Sequence, residues 1–93
     1  MIRIEFYSLL RLLLKQEKLE LPALERETIR ELLPRIQKKL PTPFLHKLLD
    51  DQGELIPGTI ILVNRKNILH LDKLETLVAD DDVIAFFPPG AGG

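Results

Sequence analysis

The sequence predicts an α+β domain in which one sheet of about five strands has its helices on one side. Two observations carry this prediction. Short segments that alternate between apolar and polar residues, or that are apolar throughout, are spread along the chain, and one longer segment has apolar residues at helical spacing. The predicted order is strand, short helix, strand, long helix, short helix and then three strands, with no internal repeat or linker.

Length and charge describe one small domain. The chain has 93 residues, 45% of them hydrophobic, with 13 Lys plus Arg against 14 Asp plus Glu and a net charge of −1. A chain this short supports one core but not an enclosed active site with its supporting shells, so we expect a module and not a solitary enzyme. The balance of charge argues against binding to nucleic-acid phosphates. No spanning segment or signal peptide is predicted, so we expect the whole chain to be the mature protein, in the cytoplasm.

The chemistry-bearing residue types are few. Cysteine is absent, which excludes disulfides, thiolate zinc sites, iron–sulfur clusters and a cysteine nucleophile. His46 and His70 lie far apart in the sequence with no ligand spacing around them, so both are predicted at the surface and no metal site is expected. No nucleophile–base pair or phosphate-binding loop can be assembled, and an independent enzyme is the least supported interpretation.

Three elements are predicted in the first quarter of the chain. Residues 1–7 alternate between apolar and polar side chains, which is typical of a strand with one buried face. Ser8 is placed to cap a short helix that runs to Leu14. Residues 18–21 alternate again and form a second strand, which Pro22 ends.

The main helix begins with a capping box. Thr28 is followed three residues later by Glu31, the spacing at which each side chain caps the other's backbone amide. Pro34 predicts a kink or an early restart, because it removes the bond to the carbonyl of Arg30. Five apolar residues fall on one face of this helix: Ile29, Leu32, Leu33, Ile36 and Leu40. The solvated face is expected to carry Arg35, Lys38 and Lys39.

A shorter helix and a turn are predicted next. Thr42 and Pro43 offer a cap and a first-turn proline. The apolar residues of this helix are Phe44, Leu45, Leu48 and Leu49. Pro57 and Gly58 then mark a turn.

Three strands follow in the last third of the chain. Residues 59–64 are a branched apolar run that suits a strand, and a hairpin turn at 64–67 leads into a short strand around 68–71. Residues 74–77 supply two more core leucines. Residues 83–87 form a strongly apolar final strand. The carboxylates that precede it, Asp80, Asp81 and Asp82, are best explained as a solvated turn and not as an acid–base group.

One face of the final strand lacks an internal partner. Helices cover only one side of the sheet, yet residues 83–87 are apolar on both sides of the strand. Tyr7 and Phe87 are therefore candidates for an exposed apolar patch on the open face. Loops or a second copy of the chain are one alternative for covering this patch, but aromatic anchors favour a partner-binding surface.

The last six residues are the most informative part of the chain. Pro88 and Pro89 lack amide donors, so the backbone must leave the sheet there. The four residues that follow carry nothing larger than a methyl group: Gly90, Ala91, Gly92 and Gly93. Six extended residues reach roughly 20 Å, enough to deliver a terminal carboxylate into a neighbour's narrow active site. A frayed end is the alternative. As an acyl donor, the carboxylate would need activation to an acyl adenylate by an ATP-using partner.

At this point the residues resemble a known family. The matching positions are Phe6, Tyr7, Leu10, Arg11, Thr28–Leu33, Leu62–Asn64, Asn67, Ile68, Leu74, Thr76, Leu77, Asp80, Asp82, Val83, Ala85–Pro89, Gly92 and Gly93. They look like the small subunit of molybdopterin synthase, the MoaD family of ubiquitin-like β-grasp sulfur carriers. The run from Phe86 to Pro89 followed by a terminal Gly-Gly is the specific part of this resemblance.

The resemblance implies a fold and a chemistry. It implies a mixed sheet, a β-grasp domain at residues 1–87 and an extended reactive tail at 88–93. Gly93 would be adenylated by a ubiquitin-activating-type adenylyltransferase, converted to a thiocarboxylate and inserted into the large synthase subunit, where it donates sulfur to the cyclic pterin precursor. That precursor leads to the molybdenum or tungsten cofactor. Tyr7 and Phe87 match the docking surface of that family. No bound cofactor is implied, since the activating enzyme uses the ATP.

Departures from the family pattern are few. The family often has Gly where this chain has Arg65, Lys73 and Asp81, so these turns must differ in geometry or adopt left-handed conformations. Gly90 stands where the family frequently has Val. This replacement removes a side chain that could help to seat the tail.

Two other functions stay open. Residues 57–64 also resemble the ubiquitin-related and archaeal ubiquitin-like modifiers, which implies tRNA thiolation or attachment to protein lysines. A third possibility is a ubiquitin-like interaction domain with an inert tail.

Overall fold

A five-stranded mixed sheet organises the protein. The structure is a computed structural model that describes residues 1–90. The strands are β1 (Ile2–Phe6), β2 (Lys18–Leu21), β3 (Ile60–Val63), β4 (Lys66–Asn67) and β5 (Val83–Phe87), in the spatial order β2-β1-β5-β3-β4. β1 and β5 pair in parallel at the centre, and the remaining pairs are antiparallel. The predicted fold class, an α+β domain with a mixed sheet of about five strands, is confirmed.

Two helices lie on one face of this sheet. They are α1 (Leu9–Leu14) and α2 (Ile29–Gln37). Three short 3₁₀ turns complete the structure at Leu45–Lys47, Ile68–His70 and Lys73–Glu75. Within residues 1–90, no helix has the length and apolar character that crossing a bilayer requires.

Aromatic packing forms the centre of the core. Phe6, Phe44 and Phe86 are fully buried, and the ring centroids of Phe6 lie 6.0 Å from Phe44 and 6.3 Å from Phe86. Phe6 and Phe86 are direct partners in the β1–β5 register, so their side chains point to the same side of the sheet. Alternation along both strands therefore sends Tyr7 and Phe87 to the opposite, open face.

The capping box of α2 is present as predicted. The Thr28 hydroxyl accepts from the Glu31 amide at 3.2 Å, and Glu31 Oε1 accepts from the Thr28 amide at 3.0 Å. The predicted restart at Pro34 does not occur, since α2 is one helix from Ile29 to Gln37. Pro34 has no amide hydrogen to donate to the Arg30 carbonyl. Because Pro34 is exposed, water can bind that carbonyl instead.

The predicted second helix is wrong. Only the 3₁₀ turn Leu45–Lys47 forms, and Thr42 does not cap it. The Gln37 side chain instead donates to the Thr42 carbonyl at 2.9 Å and accepts from the Phe44 amide at 2.8 Å. A glutamine at the end of α2 therefore takes over the capping role and places Phe44 in the core.

Two predictions in the last third of the chain are also wrong. The strand after the hairpin is Lys66–Asn67, and the segment from Ile68 onward is a 3₁₀ turn that begins where Asn67 Oδ1 accepts from the Leu69 amide at 2.9 Å. Leu77 is 53% exposed and not in the core. Residues 76–78 are extended and bridge to Thr28, so alternation turns Leu77 outward while its neighbour Val78 is buried.

The turns that lack the expected glycines adopt left-handed backbone. Arg65, Lys73 and Asp81 have φ values of 73°, 54° and 70°. Asn64, with φ of 51°, precedes Arg65 in the two-residue turn that joins β3 and β4. Positive φ at both central residues defines the type I′ hairpin turn, whose favoured sequence is Asn-Gly. Of the two alternatives, the left-handed conformation is the one found.

Arg35 was predicted on the solvated face of α2, but it forms a buried ion pair. Its guanidinium donates to both carboxylate oxygens of Glu27 at 2.7 Å and to the Pro22 carbonyl at 2.9 Å. The side chain of Glu27 is only 4% exposed, and the hydrogen bond to it raises the pKa of Arg35. This pair ties α2 to the segment that leads into it.

We expect the substitution Arg65→Gly to stabilise the fold by roughly 0.5–1 kcal/mol. It removes the side chain that makes left-handed backbone unfavourable and creates the preferred Asn-Gly turn. Urea denaturation followed by circular dichroism measures the change. The matched control is Lys66→Gly in the adjacent strand, which should destabilise; stabilisation by both variants, or by neither, would contradict the turn assignment.

We expect Arg35→Met to lower the free energy of unfolding by roughly 2–4 kcal/mol, because the buried Glu27 carboxylate loses its partner. Lys38→Met, at an exposed position just past the same helix, should change it by less than about 0.5 kcal/mol. Equal effects of the two substitutions in urea denaturation would show that the ion pair contributes nothing. Arg35→Lys should keep only part of this stability, since an ammonium group cannot form the bidentate contact with Glu27.

Candidate functional site

The site begins where β5 ends. The strand stops at Phe87, and the next residue, Pro88, is buried. Pro89 is partly buried beside Gly58: its Cβ lies 3.4 Å from where a Cβ on Gly58 would be. Gly58 has φ of 95°, which other residues rarely adopt. The close approach of the Pro57–Gly58 turn therefore fixes the first residues of the tail, here called the tail root (Pro88 and Pro89).

A groove of about 440 Å³ adjoins the tail root. Its walls are Leu9, Leu10, Leu13, His46, Lys47, Ile56, Pro88 and Pro89. Three of these residues come from α1, which starts two residues after Tyr7. The groove and the aromatic residues thus share one end of the sheet.

Tyr7 and Phe87 stack on the opposite side of this strand end. Their ring centroids are 4.6 Å apart with an interplanar angle of 9°. Tyr7 continues the parallel register past the Phe6–Phe86 pair, and its amide donates to the Phe86 carbonyl at 3.2 Å. Both side chains are partly exposed, so the stack presents one continuous aromatic surface.

This aromatic surface borders a shallow depression of about 450 Å³ on the open face. The depression is lined by Glu5, Tyr7, Leu62, Asn64, Arg65, Val83, Ala85 and Phe87. Glu5, Ala85 and Leu62 are register partners across β1, β5 and β3, which places them in one row beneath the aromatic pair. Ala85 and Leu62 make most of this row apolar, and the polar lining residues are Glu5 at its β1 end and Asn64 and Arg65 in the β3–β4 turn. A mixture of this kind suits a protein-docking surface.

Tyr7 is held by one hydrogen bond to a carboxylate. Its hydroxyl donates to Glu5 Oε1 at 2.8 Å. This bond, assisted by partial burial and by the negative charge of Glu5, raises the pKa of Tyr7 above its ordinary value. The ring therefore stays neutral through the physiological range and keeps a fixed orientation against Phe87.

The structure brings together several of the residues singled out from sequence. Tyr7, Phe87, Pro88 and Pro89 meet at one end of the sheet, and Gly90 follows as an exposed residue with φ of 78°. A valine at Gly90 would be strained in this conformation. Ala91, Gly92 and Gly93, which include the proposed reactive residue, lie outside the described residues.

The other titratable residues do not converge. His46 and His70 are exposed, as predicted. Asp80 and Asp81 are exposed, whereas Asp82 accepts from Asn64 at 2.9 Å and from the Ala79 amide at 2.8 Å and so closes its own turn. In the described part of the chain, no group of three His, Asp or Glu side chains is arranged to hold a metal ion.

Sequence reasoning missed several residues around the site. Leu62 lies on the open face because Ile61 and Val63 point inward, so the alternation that singled out Phe87 would also have found it. Gly58 and the groove along α1 had no such signal. Their positions depend on contacts between segments far apart in the chain.

Comparisons with known proteins place the chain in a family. The sequence profile of the ThiS family matches residues 4–93. An Archaeoglobus fulgidus protein whose name describes it provisionally as a sulfur carrier is 34% identical over 80 residues, 86% of this chain and 89% of that one. Small archaeal modifier protein 3 of Haloferax volcanii is 40% identical over 47 residues, and this match spans only half the length of each protein.

The fold is shared with solved structures. The crystal structure of SAMP1 from Haloferax volcanii superposes with a TM-score of 0.82 at 21% identity, covering 99% of this chain and 98% of that one. At this level of identity the likeness concerns the fold alone, the ubiquitin-like β-grasp that the sequence resemblance implied. With a family profile that spans nearly the whole chain, the protein belongs to the ThiS family of ubiquitin-like sulfur carriers.

Proposed function

We propose that this protein is the sulfur-carrier subunit of a molybdopterin synthase, with Gly93 as the residue that carries the sulfur. The observation that supports this most directly is the placement of the tail root. A thin Gly-rich segment follows a buried proline at the strand end, where an aromatic surface is exposed. That arrangement suits a domain that docks on a partner while its tail enters the partner's active site.

The chemistry starts from the Gly93 carboxylate. A carboxylate is a poor acyl donor, so an adenylyltransferase first transfers AMP to it from ATP and releases pyrophosphate. A nucleophile whose sulfur is in the oxidation state of hydrosulfide then attacks the acyl carbon. The carbon–sulfur bond forms as the bond to the AMP oxygen breaks, and a thiocarboxylate and AMP result. Glycine suits this position because it has no side chain to obstruct a narrow channel.

Sulfur transfer to the pterin follows in the large synthase subunit. The thiocarboxylate sulfur bonds to a carbon of the cyclic pterin precursor and displaces an oxygen substituent of that carbon, which gives a thioester between the two molecules. Water then hydrolyses the bond between this sulfur and the Gly93 acyl carbon, so the sulfur stays on the pterin and the chain returns as a carboxylate for another cycle. Two such transfers supply the two sulfurs of one dithiolene, which later holds molybdenum or tungsten as cargo. The Phe86–Pro89 sequence supports this acceptor over others.

The docking surface would consist of Tyr7, Phe87 and the depression below them. The stacked rings are rigid, so little conformational entropy is lost when a partner covers them. The floor row of Leu62 and Ala85 extends the apolar area towards β3. The same face would serve both the activating enzyme and the large subunit, since each must receive the same tail.

A second candidate function keeps the same activation but sends the acyl group elsewhere. The 40% identity with small archaeal modifier protein 3 over half the chain favours a role as a protein modifier as the alternative. Sulfur transfer to tRNA is a further acceptor that the same activation would serve. Both acceptors use an activated Gly93. The acceptor, and not the carrier chemistry, separates the two functions.

Incubation with the adenylyltransferase of the same organism, ATP and a sulfide donor should add one sulfur in place of one oxygen, as measured by intact mass. Deletion of Gly93 should abolish the gain, because the shortened tail cannot place its carboxylate at the nucleotide. An active enzyme that leaves the full-length chain unchanged would rule out the carrier chemistry.

Adding the large synthase subunit with the cyclic pterin precursor then identifies the acceptor. Under the leading proposal the thiocarboxylate mass reverts to the carboxylate mass as dithiolene forms. If the activated chain is instead found joined to lysine side chains through an amide bond, the protein is a modifier. These outcomes are read in the same mass spectra.

Phe87→Ala should weaken binding to the large subunit by about 10- to 100-fold, since an aromatic anchor at an interface centre contributes most of the affinity. Isothermal titration calorimetry measures this directly. Leu71→Ala is the matched control, an equally apolar side chain that is 40% exposed outside the depression, and it should leave the affinity within about twofold. Equal losses in both variants, or in neither, would exclude the aromatic pair as the docking surface.

A further inference from the structure

The surface of α1 is unusually apolar for an exposed helix. Leu10 and Leu14 point into the core, but Leu9 is 57% exposed, Leu12 71% and Leu13 37%. These three side chains lie at i, i+3 and i+4, so they form one stripe, here called the α1 patch (Leu9, Leu12 and Leu13). Nothing in the described part of the chain covers it.

The α1 patch is continuous with the groove beside the tail root. Leu9 and Leu13 form one wall of the groove, and Pro88 and Pro89 contribute another. Tyr7 follows β1 and precedes α1 by two residues, and its stacking partner Phe87 ends β5 directly before Pro88. The tail root therefore emerges between two exposed apolar surfaces, the aromatic pair on the open face and the α1 patch on the helical side.

The number of residues between the tail root and Gly93 limits how far the partner's reactive site can lie from the tail root. Gly93 lies three residues beyond Gly90, a separation that spans at most about 10 Å in a fully extended chain. If Gly93 is the reacting residue, the mouth of the receiving channel must close around the tail root itself. A mouth that surrounds the tail root contacts both flanks and not the open face alone.

The lining of the groove also includes a cationic residue, Lys47. Lys47 and His46 line it opposite α1, and neither side chain has a hydrogen-bonded or ionic partner among residues 1–90. A cation beside an apolar groove is complemented by an apolar surface with a carboxylate at its rim.

We propose that the groove and the α1 patch together form a second docking surface, which receives the channel mouth of the adenylyltransferase that activates Gly93. The contacting surface of that enzyme is apolar, with an Asp or Glu facing Lys47. This inference rests on the proposed function, since it requires Gly93 to enter the enzyme. The surface acts by positioning the tail and takes no part in the chemistry.

The test is steady-state pyrophosphate release by the adenylyltransferase of the same organism, with the full-length carrier as the varied substrate. Leu9→Gln should raise KM for the carrier at least about tenfold and leave kcat within about twofold, because it removes buried apolar area without altering the tail. Lys47→Glu should raise KM likewise. Its effect should shrink as salt is added, because charge repulsion is screened.

The matched control is Leu69→Gln, which changes a leucine of similar exposure, 51%, on the 3₁₀ turn after β4. Its KM should equal that of the unaltered chain. Circular dichroism melting checks that all variants are folded, as expected because all three positions are exposed.

The outcomes separate the two levels of the proposal. If the unaltered chain releases pyrophosphate and Leu9→Gln matches it in KM, the second docking surface is excluded while the carrier function stands. If the unaltered chain is not activated at all, the proposed function fails and this inference fails with it. If sedimentation shows that the α1 patch joins two copies and Leu9→Gln separates them without changing KM, the partner is a second copy of the chain and the proposal is overturned.

Discussion

The parallel pairing of β1 with β5 is the constraint on which the site depends. These two strands come from opposite ends of the sequence, and their register sets Phe6 beside Phe86. Because parallel strands end on the same side of a sheet, the exits towards α1 and towards the tail lie next to each other. Tyr7 and Phe87 lie side by side there, one residue beyond the Phe6–Phe86 pair, with their ring centroids 4.6 Å apart. The proposed docking face, the tail root and the α1 groove all lie at this end of the pairing.

Phe86 and Phe87 are adjacent in β5 but point to opposite faces of the sheet, so one belongs to the core and the other to the proposed docking surface. Phe86 turns inward and packs with Phe6 and Phe44 in the core, while Phe87 turns outward against Tyr7. A slip of one residue in the β5 register would exchange these positions, so that Phe86 would be exposed and Phe87 buried. The antiparallel pairing of β5 with β3 opposes such a slip, since Ile61 and Ile60 reinforce the same division. The apolar character of both sides of β5 is thus a requirement of the site.

Local signals in the sequence were enough to predict most of the sheet and the start of α2. Alternation identified β1 and β2, and the capping box at Thr28 located the helix. The failures share a cause. Gln37 displaced Thr42 as a cap, and Leu77 turned outward because its segment bridges to Thr28, which are contacts between parts of the chain that no local pattern reveals. Likewise the aromatic pair was predictable from parity, whereas the packing of Pro89 on Gly58 depends on how two distant loops meet.

A tail that must react inside another protein faces two opposing demands. Its end has to be thin and free of side chains, which makes an ordered path costly in conformational entropy, since glycine loses more freedom than any other residue when it is fixed. Its base has to be fixed, so that the partner does not bear that cost for every residue. Pro88 is buried and Pro89 packs against Gly58, so the backbone is restricted as far as Pro89. Fixing these two residues costs little conformational entropy, because the ring of proline already sets its φ. Under the proposed function, Pro88 and Pro89 would therefore add little ordering cost when a partner binds. Under the proposed function, the exposed apolar surfaces on either side of the root would supply the binding energy that holds a partner at this point.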